Sequence, residues 1–412
     1  MHLNSSLFRS QALMAVIAGS CVIPLVGAVA ENLQQVAGNN ILTVYADNPK
    51  SLDDDLRLEV LGRLTALTPQ VRSLFSSSPR LIPKYSVALY ADPNAYGKLA
   101  PPGSSGRYLA TANRALVRID QQAVHLALAT AQHEATHLLI DQVLNRRNLP
   151  LWLDEGLAEY AEMGVWTGDQ VVLGIIPCKR GGYFWASPKS VFNRLAEVQS
   201  PLRGGKLLPW SKLLQWNDGN NAEMLKTPGG LLIWDQAWSI VQFFLHAENG
   251  KYAAQFQRAL NGIPQGGWDN AFRRQFGRAI NSFEEEWKTW WLSLPDEPTD
   301  ELYLQATVAK VAGVLGRQWL LGLRPQTCEE LLANLADKEF RAKLAANALL
   351  RLPGSLLEQT REEIKTAKGL SLKPGVNDVP MVVLTRSGQP DMIGLVTAAE
   401  GRIQVAVRIA KN

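Results

Sequence analysis

His133-Glu134-Ala135-Thr136-His137 is the stretch of this chain whose residue types and spacing carry chemistry. Two histidines four residues apart lie on one face of a helix, so both imidazoles reach one metal ion. Glu134 sits one residue round, close enough to take a proton from water held at that ion. Zinc suits the set, because neutral imidazole and carboxylate are its usual catalytic ligands and one position stays open. A third ligand is on offer in Trp152-Leu153-Asp154-Glu155-Gly156-Leu157-Ala158-Glu159-Tyr160, where Glu155 follows His137 by 18 residues. Asn148-Leu149-Pro150 makes a short connection. The second helix can then return antiparallel and bring Glu155 beside the two imidazoles. With five histidines in the chain, the first pattern arises by chance on the order of once in several hundred such chains. The second pattern at a matching distance weighs against two histidines merely satisfied in a core.

The elements that must position these residues are legible in the periodicity. Residues 41–45, 85–90 and 115–119 read as strands. Residues 52–74 carry Leu56, Val60, Leu61, Leu64 and Leu67 at helical spacing. Asp120 can cap a helix over 121–145, and Pro150 opens the next, over 151–163, in its first turn. The front of the chain is therefore α+β. Residues 165–205 read as irregular, with Gly181-Gly182 and Pro188 as breakers. Helical patterns follow over 230–247, 252–260, 268–276 and 283–294. Residues 296–301 are polar, contain Pro298 and read as a linker. Helices then run to about Lys368, and 381–384 with 403–407 suggest a hairpin. The expected organisation is an export segment over 1–30 and an α+β part over 31–164. A helical part over 165–295 completes a cleft, and 301–412 form an appendage without a chemical motif.

Composition narrows the class. The chain has 412 residues, 46% hydrophobic and 19% charged, which fits a folded protein. A net charge of +4, with no basic run interleaved with aromatics, argues against a nucleic-acid partner. The N-terminus has the form of an export signal: Arg9, an apolar stretch over 12–26, and Ala28-Val29-Ala30 before Glu31. Cleavage near Ala30 would place the mature chain in the periplasm, the cell envelope or outside. An uncleaved anchor and lipoprotein processing at Cys21 are the other two readings. Cys178 and Cys328 would remain, free to pair or to stay apart. No later stretch is apolar for long enough to span a bilayer, so the mature chain is expected to carry no stable membrane span.

His133-Glu134-x-x-His137, followed by Leu153-Asp154-Glu155-Gly156-Leu157-Ala158-Glu159-Tyr160, resembles the signature of the gluzincin zinc metallopeptidases, the thermolysin-like and aminopeptidase-N-like clan. The wider pattern looks closer to bacterial peptidase MA-like domain proteins. It includes the helix around Trp238 and Phe244 and the segment from Ala271-Phe272-Arg273-Arg274-Gln275-Phe276-Gly277 to Trp287. The resemblance covers residues 40–295. It implies a zincin-like catalytic domain with one zinc ion held by His133, His137 and Glu155, and Glu134 as the general base. It further implies that Glu159 orients the first histidine and Asp154 the second, with Asp141 a further candidate.

The chain also departs from that pattern. Trp234 stands where related sequences place a tyrosine that stabilises the oxyanion; Tyr183, Tyr160 and His246 are possible substitutes. The Gly-x-Met-Glu-Asn loop of the clan's aminopeptidases is absent, which points to an endopeptidase. A peptide could add along 115–119, flanked by Arg114 and Arg118, although these read as well as edge charges that discourage aggregation. The expected function is zinc-dependent hydrolysis of exported or cell-envelope proteins. The alternatives are a zinc-binding protein-interaction module with little turnover, and a helical domain without metal. The partner expected is a peptide or protein substrate; the oligomeric state is left open.

Overall fold

Short runs rich in β-branched and aromatic residues build the sheet that carries the site. In the computed structural model, which describes residues 33–75, 83–101, 103–119, 124–144, 149–178, 193–217, 219–375, 380–399 and 402–410, five strands pair in the order β1-β2-β3-β5-β4. These are β1 (Gln34–Gly38), β2 (Leu42–Ala46), β3 (Tyr85–Tyr90), β4 (Gly106–Leu109) and β5 (Arg114–Arg118). Strands β2, β3 and β5 run parallel, with Val44 beside Val87 and Val87 beside Ala115. Strands β1 and β4 close the two edges antiparallel. The central strands have no solvated face, so Val44, Val87, Leu116 and Val117 are fully buried. Between β2 and β3 runs helix α1 (Asp54–Leu74). Residues proposed for export processing (Cys21, Ala30), the capping Asp120 and the oxyanion candidate Tyr183 lie outside the described residues.

Strand β5 is not an edge, contrary to the expectation of a peptide adding along 115–119. Strand β4 covers it, with Tyr108 opposite Ala115, and β4 itself is the edge. The four residues Gly-Arg-Tyr-Leu are too short and too mixed to show an alternating pattern. Asn113 makes the reversal between β4 and β5 in the left-handed region, at φ 48°, where asparagine is tolerated. Arg114 and Arg118 therefore do not guard an open edge.

Helix α2 (Val124–Leu144) is buried on nearly all sides, from Ala127 to Ile140, as a helix through a core must be. Helix α3 (Leu151–Glu162) follows, with Pro150 at its cap rather than in its first turn; the N–H groups of Leu153 and Asp154 both donate to the Pro150 carbonyl. Helix α4 (Arg194–Arg203) lies inside the span read as irregular. Pro201 within it and Gly204-Gly205 after it masked the helical pattern. Helix α5 (Ile233–Gly250) loses helical geometry at Ala247, so its regular part ends at His246. Helices α6 (Ala253–Gly262), α7 (Gly267–Phe276) and α8 (Glu284–Ser293) complete this part. Their core is aromatic: the Phe244 ring stacks on Phe256 at 5.1 Å and meets Phe272 and Phe283 edge-on. The indoles of Trp287 and Trp291 donate to the side chain and the carbonyl of Ser239.

Helices α3 and α5 cross at Gly156. A Cβ there would stand 2.7 Å from the Ala237 carbonyl oxygen and 2.9 Å from Val241 Cγ2. Glycine is the residue that allows this approach.

The chain divides into two units. The first holds Leu67–Gly164 and Ile176–Pro298 with the residues before Asp53. The second holds Asp53–Ala66, Val165–Ile175 and the chain from Thr299 onward. The C-terminal part is therefore not a self-contained appendage; it takes in two earlier segments. The first division falls inside the continuous helix α1, which carries no linker signal. The expected linker is also shorter, because Asp300 already begins α9 (Asp300–Leu320). Helices α10 (Cys328–Ala336), α11 (Lys338–Ala346) and α12 (Gly354–Thr366) follow. Instead of a hairpin there is a four-stranded antiparallel sheet. It is built from β6 (Leu370–Lys373), β7 (Met381–Arg386), β8 (Gln389–Ala399) and β9 (Arg402–Ile409), in the order β9-β8-β7-β6. Strand β8 separates the two strands expected to pair. Its Pro390 and Gly394 hid it, and an irregularity between Gln389 and Met392 accommodates the proline. Helix α9 packs closely on this sheet because Gly394 faces Val308 and Ala312, and Gly316 faces Val396 and Ile403. Among the described residues, no helix is long and apolar enough to cross a membrane.

Gly156→Val is expected to force α3 and α5 apart and to destabilise the first unit by about 1–3 kcal/mol. A urea midpoint equal to that of the wild type would show that the crossing tolerates a side chain.

Candidate metal centre

Three donor atoms from α2 and α3 converge. His133 Nε2 lies 3.1 Å from His137 Nε2 and 3.4 Å from Glu155 Oε2, and His137 Nε2 lies 3.8 Å from Glu155 Oε2. A tetrahedral ion with bonds of about 2.0–2.1 Å separates its ligands by about 3.4 Å. The three atoms thus outline one face of such a site. All three residues are buried, and Glu155 Oε2 has no hydrogen-bond partner. A buried carboxylate oxygen left bare in this way fits a metal ligand. The group can hold a metal ion.

A carboxylate faces each opposite ring nitrogen, hydrogen-bonded at His133 and at ion-pair distance without a hydrogen bond at His137. His133 Nδ1 is 3.0 Å from Glu162 Oε2, and His137 Nδ1 is 3.1 Å from Asp154 Oδ1. A carboxylate on Nδ1 holds the imidazole with Nε2 free for metal. Asp154 therefore stands where it was expected, beside the second histidine. For the first histidine the partner at hydrogen-bond distance is Glu162, which the sequence reading did not single out. Residues 155, 159 and 162 lie on one face of α3, so Glu162 was as visible as Glu159 at helical spacing. Glu159 keeps near the site, with an oxygen within 4.8 Å of a His133 nitrogen and of Glu162. Its carboxylate, however, is engaged by the Arg194 guanidinium, which also pairs with Asp235 of α5. Arg194 is 1% exposed and lies over the Trp238 ring. Arg194 carried no sequence signal, since α4 itself was not recognised, and Asp235, on the expected helix over 230–247, had no visible partner without it.

Two further contacts hold the helices in register. Gln132 donates its side-chain amide to the carbonyls of Ala161 and Gly164, tying α2 to the end of α3. Ala161 is in the last turn of α3 and Gly164 lies just beyond it, so the amide closes over the end of that helix. Glu134 lies under the edge strand, where a Cβ on Gly106 would collide with its carboxylate. Glu134 is fully buried and both its oxygens lack hydrogen-bond partners. Next along β4, Tyr108 lies near-parallel to the His137 ring at 6.5 Å and donates its hydroxyl to Asp141. Asp141 is thus a partner of Tyr108, one step removed from His137.

Burial pushes Glu134 up to about 7, although His133 and His137 pull it down. Burial pulls His137 down, but Asp154 and Glu155 outweigh it and lift the ring to about 9. Burial also acts against a charged His133; Glu155 and Glu162 prevail and raise it well above the ordinary range.

Of the oxyanion candidates, Tyr160 and His246 bond each other, oxygen to Nε2, at 2.8 Å. Tyr160 is five residues beyond Glu155, about 140° round the helix, so it leaves from the opposite side of α3. Burial holds His246 down at about 4 and raises Tyr160. Trp234 is buried edge-on to Trp216 at 5.5 Å, and its indole N–H has no acceptor. Comparison with protein-family models, with curated proteins and with solved structures finds no significant match.

With the ring pKa values raised, the imidazole pair holds an extra proton at neutral pH before metal enters, and a metal must displace it. The apparent affinity for a divalent ion is expected to rise with pH up to about 9, by about tenfold per unit for each proton displaced. Calorimetry in buffers of different ionisation enthalpy checks this; binding without proton release at pH 7 contradicts it.

Proposed function

We propose that this chain is a zinc-dependent endopeptidase of gluzincin type, with a zincin-like catalytic domain, acting on exported or cell-envelope proteins. One observation supports it above the others. Two imidazole nitrogens and a carboxylate oxygen lie 3.1–3.8 Å apart, and a second buried carboxylate, Glu134, stands unpartnered beside them. Zinc is the metal of choice because two neutral nitrogens and one oxygen, closed by a fourth open position, are its usual catalytic set. When bound, zinc polarises a carbonyl and brings the pKa of a coordinated water towards neutrality.

The remaining steps fall to the chain's own groups. Glu134, held near 7 by burial, can accept a proton from water as the carbonyl is attacked and return it to the leaving amine. Glu162 keeps the His133 imidazole turned towards the metal, and the Asp154 carboxylate faces the outer nitrogen of His137. Among the described residues β4 is the outermost strand on its side of the sheet, and its Gly106 abuts Glu134. An extended peptide adding to that edge would run past the base, in the manner of strand addition. Trp234, with its indole N–H, stands where related sequences place the tyrosine that stabilises the developing negative charge, and an indole is the weaker donor. Loss of one such donor typically costs about 10²–10³ in rate.

The protein is expected to hold about one zinc per chain, and His137→Ala to lose it. Glu134→Gln should keep the metal and lose cleavage of an unfolded protein mixture by about 10²–10⁴. A wild type without zinc would overturn the metal assignment. Zinc without turnover would favour the interaction module, and equal turnover in Glu134→Gln would remove Glu134 from the base role.

A further inference from the structure

A cleft of about 630 Å³ opens where the start of α3 meets the chain just ahead of residue 220. That volume is within the usual range for a ligand site, about 300–1,000 Å³. Its walls include Leu149, Leu151, Leu214 and Trp216. Asp154 is the one charged residue among the described residues that line it. The same carboxylate meets His137 Nδ1 through Oδ1 at 3.1 Å. A single imidazole ring therefore separates the cleft from a metal donor atom.

The polar rim is already committed. Asn217 Oδ1 accepts from the N–H groups of Gly219 and Asn220, and Asn220 Oδ1 accepts from Asn217 N–H. Both amide nitrogens donate to the Gln215 carbonyl. The Trp216 indole donates to Asn221. These bonds make a closed loop that has little to offer a ligand. What is left for recognition is the Gln215 side chain, the apolar side chains of Leu149, Leu151 and Leu214, and one carboxylate, of which Oδ1 lies 3.1 Å from His137 Nδ1 and the side chain is 32% exposed.

We propose that this cleft receives a lysine or arginine side chain of the substrate, its stem on the apolar wall and its cationic head at Asp154. The assignment rests on the endopeptidase reading above. A long basic side chain has the matching form, an aliphatic stem with a charge at its end. The field agrees. Asp154, Glu155, Glu159, Glu162 and Asp235 stand in or next to the candidate metal centre, and they outweigh Arg194 and a bound dication together. Arg194 is already held between Glu159 and Asp235. A norleucine side chain has the stem without the head, and a glutamate reverses the charge.

The test is peptide binding to the zinc-loaded full chain carrying Glu134→Gln, followed by tryptophan fluorescence. Three alanine-based decapeptides differ only in a central arginine, norleucine or glutamate. The arginine peptide is expected to bind at least about tenfold tighter than the norleucine one, and the glutamate peptide weakest. Adding Leu214→Arg, which places a cation in the cleft, should remove the arginine advantage while zinc content stays constant. Gln215→Lys, at the exposed rim, should reduce it in the same direction and serves if Leu214→Arg does not fold. Equal binding of arginine and norleucine peptides, no binding of any of them, or an arginine advantage that survives both variants overturns the proposal. Cleavage by the unsubstituted protein is measured separately. If it is absent while the arginine advantage holds, the peptidase reading fails and the cleft remains a site for basic peptides.

Discussion

Glu155 Oε2 stands within 3.4 Å of His133 Nε2, and most of the first unit can be read as a means of keeping it there. The two atoms belong to different helices, and each side chain is removed from water. Buried polar atoms at this spacing need a fixed separation of the two helix axes and a fixed rotation of each. Gly156 lets α5 press α3 from behind, and Gln132 fastens the end of α3 to α2. Both devices act through the backbone, so they hold Glu155 without using the carboxylate itself. That leaves Oε2 bare, which a metal ligand must be.

The same spacing creates an electrostatic problem. Several carboxylates surround two imidazoles in a place where charge is poorly screened. Without a metal, the arrangement answers by protonation: Glu134 rises to about 7, and both rings hold protons beyond their ordinary range. A dication held there would take over the role of those protons, so one geometry would serve two charge states. Arg194 supplies the fixed positive charge. Because it sits on α4 and joins Glu159 of α3 to Asp235 of α5, it also connects three helices through one side chain. Removing one partner of such a buried group leaves the other charge uncompensated, which typically costs about 3–5 kcal/mol.

The convergence of His133, His137 and Glu155 was legible because helical geometry turns sequence spacing directly into spatial position. The same holds for the main helices and for β3, whose residues 85–90 match the observed strand. What escaped was information that crosses between elements. Strand β4 has four residues and no alternation, so it was not seen, and its absence made β5 look like an edge. Helix α4 was concealed by Pro201 and the two glycines after it, and Arg194 was concealed with it. Strand β8 carries Pro390 and Gly394, residues that normally argue against a central strand. The second unit was missed as a unit because part of it lies within helix α1, where local pattern is continuous.

Three acidic residues on one face of α3 show how far local pattern reaches. Glu155, Glu159 and Glu162 have nearly the same direction from the helix axis, yet they take three different partners. Glu155 meets both imidazoles, Glu162 takes the outer nitrogen of His133, and Glu159 turns to Arg194. Helix periodicity cannot distinguish them, because it fixes the face and leaves the partner open. The partner is decided by what each neighbouring helix presents at that height. Glu159 lies within reach of both His133 and Arg194. A carboxylate gains more from a buried guanidinium, which is charged at every accessible pH, than from an imidazole whose charge depends on metal. Arg194 thereby draws Glu159 aside and leaves the His133 Nδ1 position to Glu162. The outer hydrogen bond of His133 is thus tied to a residue that is neither on α2 or α3 nor near them in sequence.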